Sequence, residues 1–254
     1  MDKYLPKIVG AALVLGAGGI GSEIVRALVA YGATCIAFTY GKNQAAAEEL
    51  KREIEAAGIQ VFIGSVDPSD MTVLSAFIDS AEAAFGQEIT TVVNTVGISP
   101  NTPLREQTSE EWRQVFEVNV FGSFFSSRFI ASRMKERGTK GSITLITSTN
   151  GINSQSSISA HYDSSKAAQG MMMRILAEEY APAGIRINGV APGWINTKMN
   201  DTLPEDEKQK EMAKIWSGRF ADPAEVAAFV AFVASTGGSY IYGQNLMIDG
   251  GYRS

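Results

Sequence analysis

The residues best suited to proton transfer in this 254-residue chain are a tyrosine and a lysine four positions apart, Tyr162 and Lys166. If the segment is helical, this spacing places both side chains on one face. A phenol ordinarily titrates at about 10, and a neighbouring ammonium favours the phenolate and lowers that pKa. The pair therefore predicts a tyrosine that exchanges a proton near neutral pH. Because the same spacing occurs by chance in many helices, this prediction depends on the surrounding residues.

A serine upstream offers a hydroxyl group to the same region. The residues from Ile143 to Thr147 are typical of a strand, which is followed by the segment Ser148-Thr149-Asn150-Gly151. A loop in this position can present the Ser148 hydroxyl to the pocket that holds Tyr162. We expect Ser148 to donate a hydrogen bond to a substrate oxygen.

A glycine-rich turn near the N-terminus lies between a predicted strand and a predicted helix. It reads Gly16-Ala17-Gly18-Gly19-Ile20-Gly21, which has the spacing G-x-G-x-x-G. Such glycines let backbone amides approach a pyrophosphate at a helix N-terminus, where the helix dipole favours negative charge. The turn predicts dinucleotide binding, and a glycine-rich turn without a ligand is the alternative. The expected cofactor contacts here are Gly16, Gly19, Ile20 and Gly21.

The end of the second predicted strand bears on which dinucleotide binds. About 20 residues beyond the glycine turn, an NAD enzyme usually places a carboxylate for the ribose 2′-hydroxyl, but this chain has Tyr40-Gly41-Lys42. The missing carboxylate favours NADP(H) over NAD(H). Lys42 can pair with a 2′-phosphate, although a surface lysine without a ligand is the alternative.

An aspartate follows the third predicted strand, in Ser65-Val66-Asp67-Pro68. Its carboxylate is expected to accept a hydrogen bond from the adenine. The alternative is an Asp67 that only caps a helix or shapes a turn.

Predicted strands alternate with predicted helices along the whole chain, which indicates a doubly wound parallel sheet. We therefore predict an α/β fold: one Rossmann-type domain over residues 1–254, with a sheet of about seven strands and helices on both faces. Every motif above lies at the carboxyl end of a predicted strand, where such sheets bind ligands. The strands are predicted at Ala11–Leu15, Thr34–Thr39, Gln60–Ser65, Thr91–Thr95, Ser142–Thr147, Arg186–Val190 and Asn245–Ile248. The helices are predicted at Gly21–Tyr31, Asn43–Ala57, Met71–Phe85, Glu110–Arg137 and Ser159–Ala181.

Composition narrows the classes of partner. A net charge of −5 argues against a broad surface for nucleic acid or anionic lipid, so a small-molecule substrate is expected. The sequence has neither a leader peptide pattern nor a long apolar run, and a cytoplasmic location is the default expectation. With His161 and Cys35 the sole histidine and cysteine, no cluster of metal ligands can be proposed.

Together these motifs resemble those of the short-chain dehydrogenase/reductase family, and the resemblance extends from Gly16 to the Asp249-Gly250-Gly251 ending. Asn94-Thr95-Val96-Gly97 is similar to the family's Asn-Asn-Ala-Gly segment. Asn119 matches the helix asparagine of the family's catalytic tetrad, which Ser148, Tyr162 and Lys166 complete. The resemblance implies that Lys166 binds the nicotinamide ribose and that Asn119 holds a water on a proton relay to Lys166.

The segment Pro192-Gly193-Trp194-Ile195-Asn196-Thr197 is similar to another family motif, Pro-Gly-x-Ile/Val-x-Thr. The resemblance implies that Ile195 and Thr197 contact the nicotinamide amide and a neighbouring phosphate. In reduction, it also implies hydride transfer to a carbonyl carbon while Tyr162 protonates the oxygen.

Three features depart from the family pattern: the glycine loop, the segment after the fourth strand, and the spacing between Ser148 and Tyr162. Leu15 replaces the usual threonine, and the glycine loop is one residue shorter between Gly16 and Gly19. Thr95 and Val96 replace Asn-Ala. Ser148 precedes Tyr162 by one residue more than is common, which would nominate Thr149, but the Ser-x-x-Gly pattern favours Ser148.

Residues 195–218 occupy the region of the family's substrate lid, with Trp194, Met199 and Trp216 as candidate lining residues. A free ketone, sugar or secondary alcohol is the preferred substrate, because Glu178-Glu179 stands where carrier-protein reductases often carry basic residues. The alternatives are a 3-oxoacyl-carrier-protein type of reductase and a non-catalytic dinucleotide-binding regulator. By analogy with the family, a homotetramer, or failing that a homodimer, is expected.

Overall fold

A computed structural model describes residues 5–153, 156, 158–197 and 205–252 of the chain. It contains a parallel sheet of seven strands in the order β3-β2-β1-β4-β5-β6-β7, which confirms the predicted Rossmann-type fold. The strands are β1 Ala11–Leu15, β2 Cys35–Tyr40, β3 Gln60–Ser65, β4 Ile89–Asn94, β5 Gly141–Ile146, β6 Ile185–Pro192 and β7 Asn245–Ile248.

Helices cover both faces of the sheet. They are α1 Ile20–Ala30, α2 Gln44–Ala56, α3 Met71–Phe85, α4 Ser109–Phe116, α5 Ser123–Arg137, α6 Ala160–Tyr180, α7 Glu205–Met212 and α8 Pro223–Ala234. In the part of the chain that the structure describes, no helix is long and apolar enough to cross a membrane.

The central strand shows why these sequences form a sheet that is buried on both faces. Ala11, Leu13 and Leu15 of β1 pack on the side of α3, α5 and α6. Ala12 and Val14 point to the opposite side, where they meet α1, α2 and α8. Since successive strand residues face opposite sides, a continuous apolar run can fill two cores at once.

The predicted helix over Glu110–Arg137 is interrupted. Its backbone changes to a π-helical turn over Glu117–Gly122, between α4 and α5. A π turn adds one residue to the helical repeat, which a periodic sequence pattern does not reveal, and such turns are frequent at functional sites.

Helix α8 was not among the helices predicted from sequence. Its residues are mostly apolar on all sides, so it lacks the amphipathic pattern that identified the others. Asp222 and Glu225 form a capping box at its N-terminus. At its other end, the buried guanidinium of Arg186 donates to the carbonyls of Val233, Ala234, Ser235 and Gly238.

Candidate active site

The carboxyl edge of the sheet opens into a cavity of about 680 Å³, within the size range of small-molecule sites. Loops that follow the first six strands contribute to its walls. Most of the site residues predicted from sequence line it: Gly16, Gly19, Ile20, Tyr40, Gly97, Ser148, Tyr162, Lys166, Pro192, Gly193, Ile195 and Thr197. The remaining predicted residues, Gly21, Lys42, Asp67, Asn94 and Asn119, lie outside the described lining.

The glycine turn is anchored by a threonine in β2 and a threonine directly after β4, the two strands that flank β1. Thr39 accepts a hydrogen bond from the Gly16 amide at 2.9 Å, and the Thr95 hydroxyl donates to the carbonyl oxygens of Leu15 and Gly16. A β-carbon on Gly21 would lie 2.0 Å from the Gly16 oxygen, so only glycine fits there. Thr95, a departure from the family motif, is therefore a structural part of this shortened turn.

Two glycines of the turn face open space. A β-carbon on Gly18 or Gly19 would meet no atom within 4 Å, and both residues line the cavity. Gly19 has a positive φ of 53° and begins helix α1. The backbone at this helix N-terminus is therefore accessible to a phosphate.

The end of β2 presents an aromatic ring and a glycine rather than a charge. Tyr40 and Gly41 line the cavity, whereas Lys42 is exposed and lies beyond the lining. No carboxylate occupies the sequence positions from Thr39 to Lys42. The geometry thus includes no acidic partner for a ribose 2′-hydroxyl at this strand end.

Asp67 and Asn94 shape the backbone of their loops. The Asp67 carboxylate accepts hydrogen bonds from the Ser69 amide at 2.9 Å and the Ser69 hydroxyl at 2.7 Å, and these bonds lower its pKa. The cap of α3 is another residue, Asp70. Buried Asn94 accepts from the Val96 amide at 3.1 Å and donates to Ser126 at 3.2 Å.

Tyr162 and Ser148 meet inside the cavity. Tyr162 is in the first turn of α6, and its hydroxyl interacts with that of Ser148 from the loop after β5. The neighbouring hydroxyl of Thr149 is buried and instead donates to the Pro192 carbonyl at 3.3 Å. Of the two candidate hydroxyl residues, Ser148 is the one in contact with the tyrosine.

The protein's own residues raise the pKa of Tyr162. Burial of the phenol is the largest cause, the hydrogen bond from Ser148 acts in the opposite direction, and the Asp163 carboxylate raises the pKa further. The lowering expected from sequence therefore requires positive charge near the phenolate. Lys166, whose Nζ lies 5.6 Å from the centroid of the Tyr162 ring, is the nearest side chain that can supply it.

Lys166 is buried without an anionic partner among the described residues. Burial lowers its pKa to about 7, so it is half protonated near neutral pH. Its ammonium donates to the Ile146 carbonyl at 2.8 Å and to the side-chain oxygen of Gln169 at 3.0 Å. The third N–H is available on the side of Gly97, a cavity residue whose β-carbon position is 3.4 Å from Nζ.

Gln169 was not predicted from sequence. It is fully buried, and its amide nitrogen donates to the buried Ser123 hydroxyl at 2.9 Å, which directs the amide oxygen toward Lys166. A polar residue three positions after the lysine, on the same helical face, was the available signal.

Asn119 lies behind Lys166 in the π turn. Its side chain exchanges two hydrogen bonds with the Ile98 backbone, at 2.8 and 2.9 Å, and donates to Ser165 at 3.0 Å. It is fully buried, and these contacts show that the asparagine satisfies buried backbone groups, a structural role that is compatible with the predicted water relay.

The segment after β6 forms another wall of the cavity. Gly193 packs against Asp249, where a β-carbon would approach within 2.8 Å of the aspartate side chain. Trp194 lines the cavity, stacks on Phe220, and donates to the Glu211 carboxylate of α7 at 3.2 Å. Trp216 is largely exposed and does not contribute to the described lining.

The predicted lid over residues 195–218 is described only in part. Met199 and the rest of residues 198–204 lie outside the described residues. Glu211 links the described part to the C-terminal segment, because its carboxylate accepts from the Tyr252 hydroxyl at 2.5 Å. Tyr252 itself reaches the cavity and was missed in the sequence.

The chain resembles known oxidoreductases over nearly its full length. A family model described as enoyl-(acyl carrier protein) reductase matches residues 14–253. The chain is 34% identical to the galactitol 2-dehydrogenase (L-tagatose-forming) of Cereibacter sphaeroides over 247 residues, which cover 95% of this chain and 94% of that protein.

Solved structures with the same fold include complexes with either nicotinamide dinucleotide. A gluconate 5-dehydrogenase from Burkholderia cenocepacia J2315, in complex with NADP and tartrate, is 29% identical with a TM-score of 0.89, covering 99% of this chain and 98% of that one. A 7α-hydroxysteroid dehydrogenase complexed with NADH is 30% identical with a TM-score of 0.90, covering 99% of this chain and 97% of that one. This chain therefore belongs to the short-chain dehydrogenase/reductase family of oxidoreductases, as its motifs indicated.

Proposed function

We propose that this protein transfers a hydride between NADP(H) and a small carbonyl compound or secondary alcohol. The observation that carries the proposal is the convergence of Ser148, Tyr162 and Lys166 on the cavity that the glycine turn also lines. A non-catalytic regulator on the same scaffold would not need these three side chains together. Carbonyl reduction by the purified protein, followed through the absorbance of the reduced cofactor, tests it.

The cavity residues divide the work of reduction among them. The bound dinucleotide supplies a hydride to the carbonyl carbon. Ser148 donates a hydrogen bond that polarises the substrate oxygen, and Tyr162 gives that oxygen its proton. The Lys166 ammonium stabilises the phenolate that remains and holds the nicotinamide ribose, while Asn119 supports a water that returns a proton toward Lys166. If Tyr162→Phe left turnover unchanged, this assignment of roles would be wrong.

The other cofactor contacts predicted from sequence complete the proposal. We propose that Gly16, Gly19, Ile20 and Gly21 hold the pyrophosphate and that Asp67 and Asn94 with Gly97 support the adenosine and nicotinamide ends. Ile195 and Thr197 are proposed to contact the nicotinamide amide and a neighbouring phosphate. Each proposal depends on the backbone shape of a cavity loop, so substitutions there should change cofactor affinity before they change the chemistry.

NADP(H) is the proposed cofactor because the end of β2 carries no carboxylate. The lysine proposed to hold the 2′-phosphate, Lys42, is exposed and directly follows the cavity residue Gly41. A fluorescence titration should show tighter binding of NADPH than of NADH, and Lys42→Ala should weaken NADPH binding alone. Tighter binding of NADH would contradict the preference.

The substrate side of the cavity favours a small uncharged molecule. Among the described lining residues on this side are Ser99, Asn101, Asn150 and Ser156, and Lys166 is the only charged side chain in the described lining. A panel of ketones, sugars and secondary alcohols, with acetoacetyl thioesters as the comparison, separates this proposal from a carrier-protein reductase. Turnover of the thioesters alone would favour that alternative.

We further propose a homotetramer of single-domain subunits, each spanning residues 1–254, with a cytoplasmic location. Exposed apolar side chains on α6, on α5 and on the π turn before α5 support an oligomer: Phe121, Phe125, Met171 and Ile175. Light scattering on the full-length protein measures the number of subunits.

A further inference from the structure

Asp163 directly follows the candidate proton donor Tyr162 and holds one wall of the cavity. This wall, called the substrate wall, consists of Asn150, Ser156 and Ser159. The Asp163 carboxylate accepts hydrogen bonds from the Asn150 side chain at 2.7 Å, the Ser159 hydroxyl at 2.9 Å and the Ser156 amide at 2.8 Å. All three donors belong to the segment between β5 and α6, and all three line the cavity. One side chain of α6 thus gathers this segment at three points.

The same hydrogen-bond network extends to the loop after β4, which forms another wall of the cavity. Within the segment held by Asp163, the Ile158 carbonyl accepts from the Thr102 amide at 3.0 Å. Thr102 follows Ser99 and Asn101, which line the cavity from the loop after β4. Loss of the Asp163 contacts is therefore expected to loosen both walls around the substrate.

Asp163 also places a negative charge beside the reacting phenol. Its charge favours the protonated form of Tyr162, whereas the ammonium of Lys166 favours the phenolate. Among the described residues, the titratable groups at this end of α6 also include His161 and the α4 carboxylate Glu111, whose charge interacts with His161, and Tyr252 lines the same cavity. Asp163 is the anion whose removal acts directly on Tyr162.

We propose that Asp163 is a positioning residue that builds the substrate wall and raises the pH at which Tyr162 transfers its proton. The proposal rests on the proposed function for its kinetic consequences. It assigns to Asp163 no contact with the reacting atoms. The carboxylate acts through Asn150, Ser156 and Ser159 on the substrate and through its charge on Tyr162.

The variant Asp163→Asn removes the charge at nearly constant size. Because the phenolate then lacks a neighbouring anion, the pKa of Tyr162 falls. In the plot of alcohol oxidation rate against pH, the acidic limb therefore moves to lower pH by about half a unit. The amide cannot accept at both of its terminal atoms, so one wall contact is lost and the substrate KM rises roughly fivefold. The dissociation constant for the cofactor should stay unchanged.

Two controls separate charge from packing. Asp163→Glu keeps the charge but displaces the carboxylate, so KM rises while the limb stays within about 0.2 units of its position in the unsubstituted protein. Glu179→Gln removes an exposed carboxylate from the same helix, where it pairs with Lys135, and should alter neither quantity. An unshifted limb in Asp163→Asn, in a variant that retains its thermal unfolding midpoint, overturns the role in proton transfer, and an unchanged KM overturns the role in the wall.

A titration without turnover keeps this test separate from the proposed function. The ultraviolet difference between the protein and its Tyr162→Phe variant follows phenolate formation directly. Asp163→Asn should lower the pH of that transition by the same half unit, about threefold in the proton equilibrium. If no substrate is turned over but this shift occurs, the proposed function fails and the electrostatic role of Asp163 stands.

Discussion

At the scale of single residues, the most consequential feature is a lysine buried without an anion among the residues described around it. Burial lowers the pKa of Lys166 to about 7, which keeps a proton exchangeable beside Tyr162. The same burial disfavours the charged form that the unfolded chain prefers. Catalytic proton transfer and stability therefore impose opposite demands on this residue.

The pH dependence of unfolding should expose that conflict. Unfolded Lys166 retains its proton up to about pH 10, while the folded residue loses it near 7, so folded-state stability rises with pH across this window. Relative to Lys166→Met, the unsubstituted protein should gain about 4 kcal/mol of unfolding free energy between these limits. Urea unfolding at several pH values measures this difference, and parallel curves for the two proteins would contradict it.

The amide of Gln169 should tune the same lysine. In Gln169→Met the ammonium loses an acceptor, so the pKa of Lys166 falls and the ammonium persists only at lower pH. The alkaline limb of carbonyl reduction should move to lower pH, with about tenfold less turnover at pH 8. The matched control Ser123→Ala retains the Gln169 oxygen and removes only the contact that orients it, so it should cause a smaller loss. An alkaline limb that stays where it was would exclude this role.

At the scale of elements, the active site depends on strand ends that are joined by buried side chains. Thr39 in β2 and Thr95 directly after β4 hold the glycine turn between them. The π turn between α4 and α5 carries Asn119, which fastens the Ile98 backbone beside Lys166. The loops have little regular structure of their own, so these contacts determine their geometry.

Thr95→Val should loosen the glycine turn without emptying its space. The Leu15 and Gly16 carbonyls lose a donor, and cofactor affinity should fall roughly fivefold, while turnover at saturating cofactor is maintained. Thr144→Val is the control, because the buried Thr144 hydroxyl has no hydrogen-bond partner among the described residues. Titration of NADPH fluorescence measures both variants. Equal affinities would contradict the anchoring role of Thr95.

At the scale of the whole molecule, helices α5 and α6 expose large apolar side chains that a monomer would leave in contact with water. Met171 and Ile175 are each 57% exposed and lie one turn apart on α6, and Phe125 of α5, which packs against α6, is exposed as well. Apolar faces on two packed helices are suited to a symmetric interface between identical subunits.

Charges on this face should break the proposed oligomer. The double substitution Met171→Glu and Ile175→Glu should give smaller particles in light scattering, since paired subunits would bury like charges. Val73→Glu, on the exposed side of α3, is the control and should leave the particle mass unchanged. If the double variant kept its mass, the interface would lie elsewhere.

Local sequence was sufficient for the seven strands and for the spacing of the candidate catalytic pair. Apolar runs bounded by glycines predicted the seven strands, and short-range spacing placed Tyr162 and Lys166 on one helical face, because both depend on residues close in the chain. The family motifs then identified Ser148 and Asn119. The fold and family were confirmed, while the roles of these residues stay predictions.

Tertiary structure alone decided how distant residues act on that pair. Burial of Lys166, its contact with Gln169, and the grip of Asp163 on the substrate wall all depend on neighbours brought together by folding. The same is true of the π turn, of apolar helix α8 and of Tyr252 at the cavity. A pKa or a wall depends on desolvation and on contacts across the fold, which no spacing along the chain encodes.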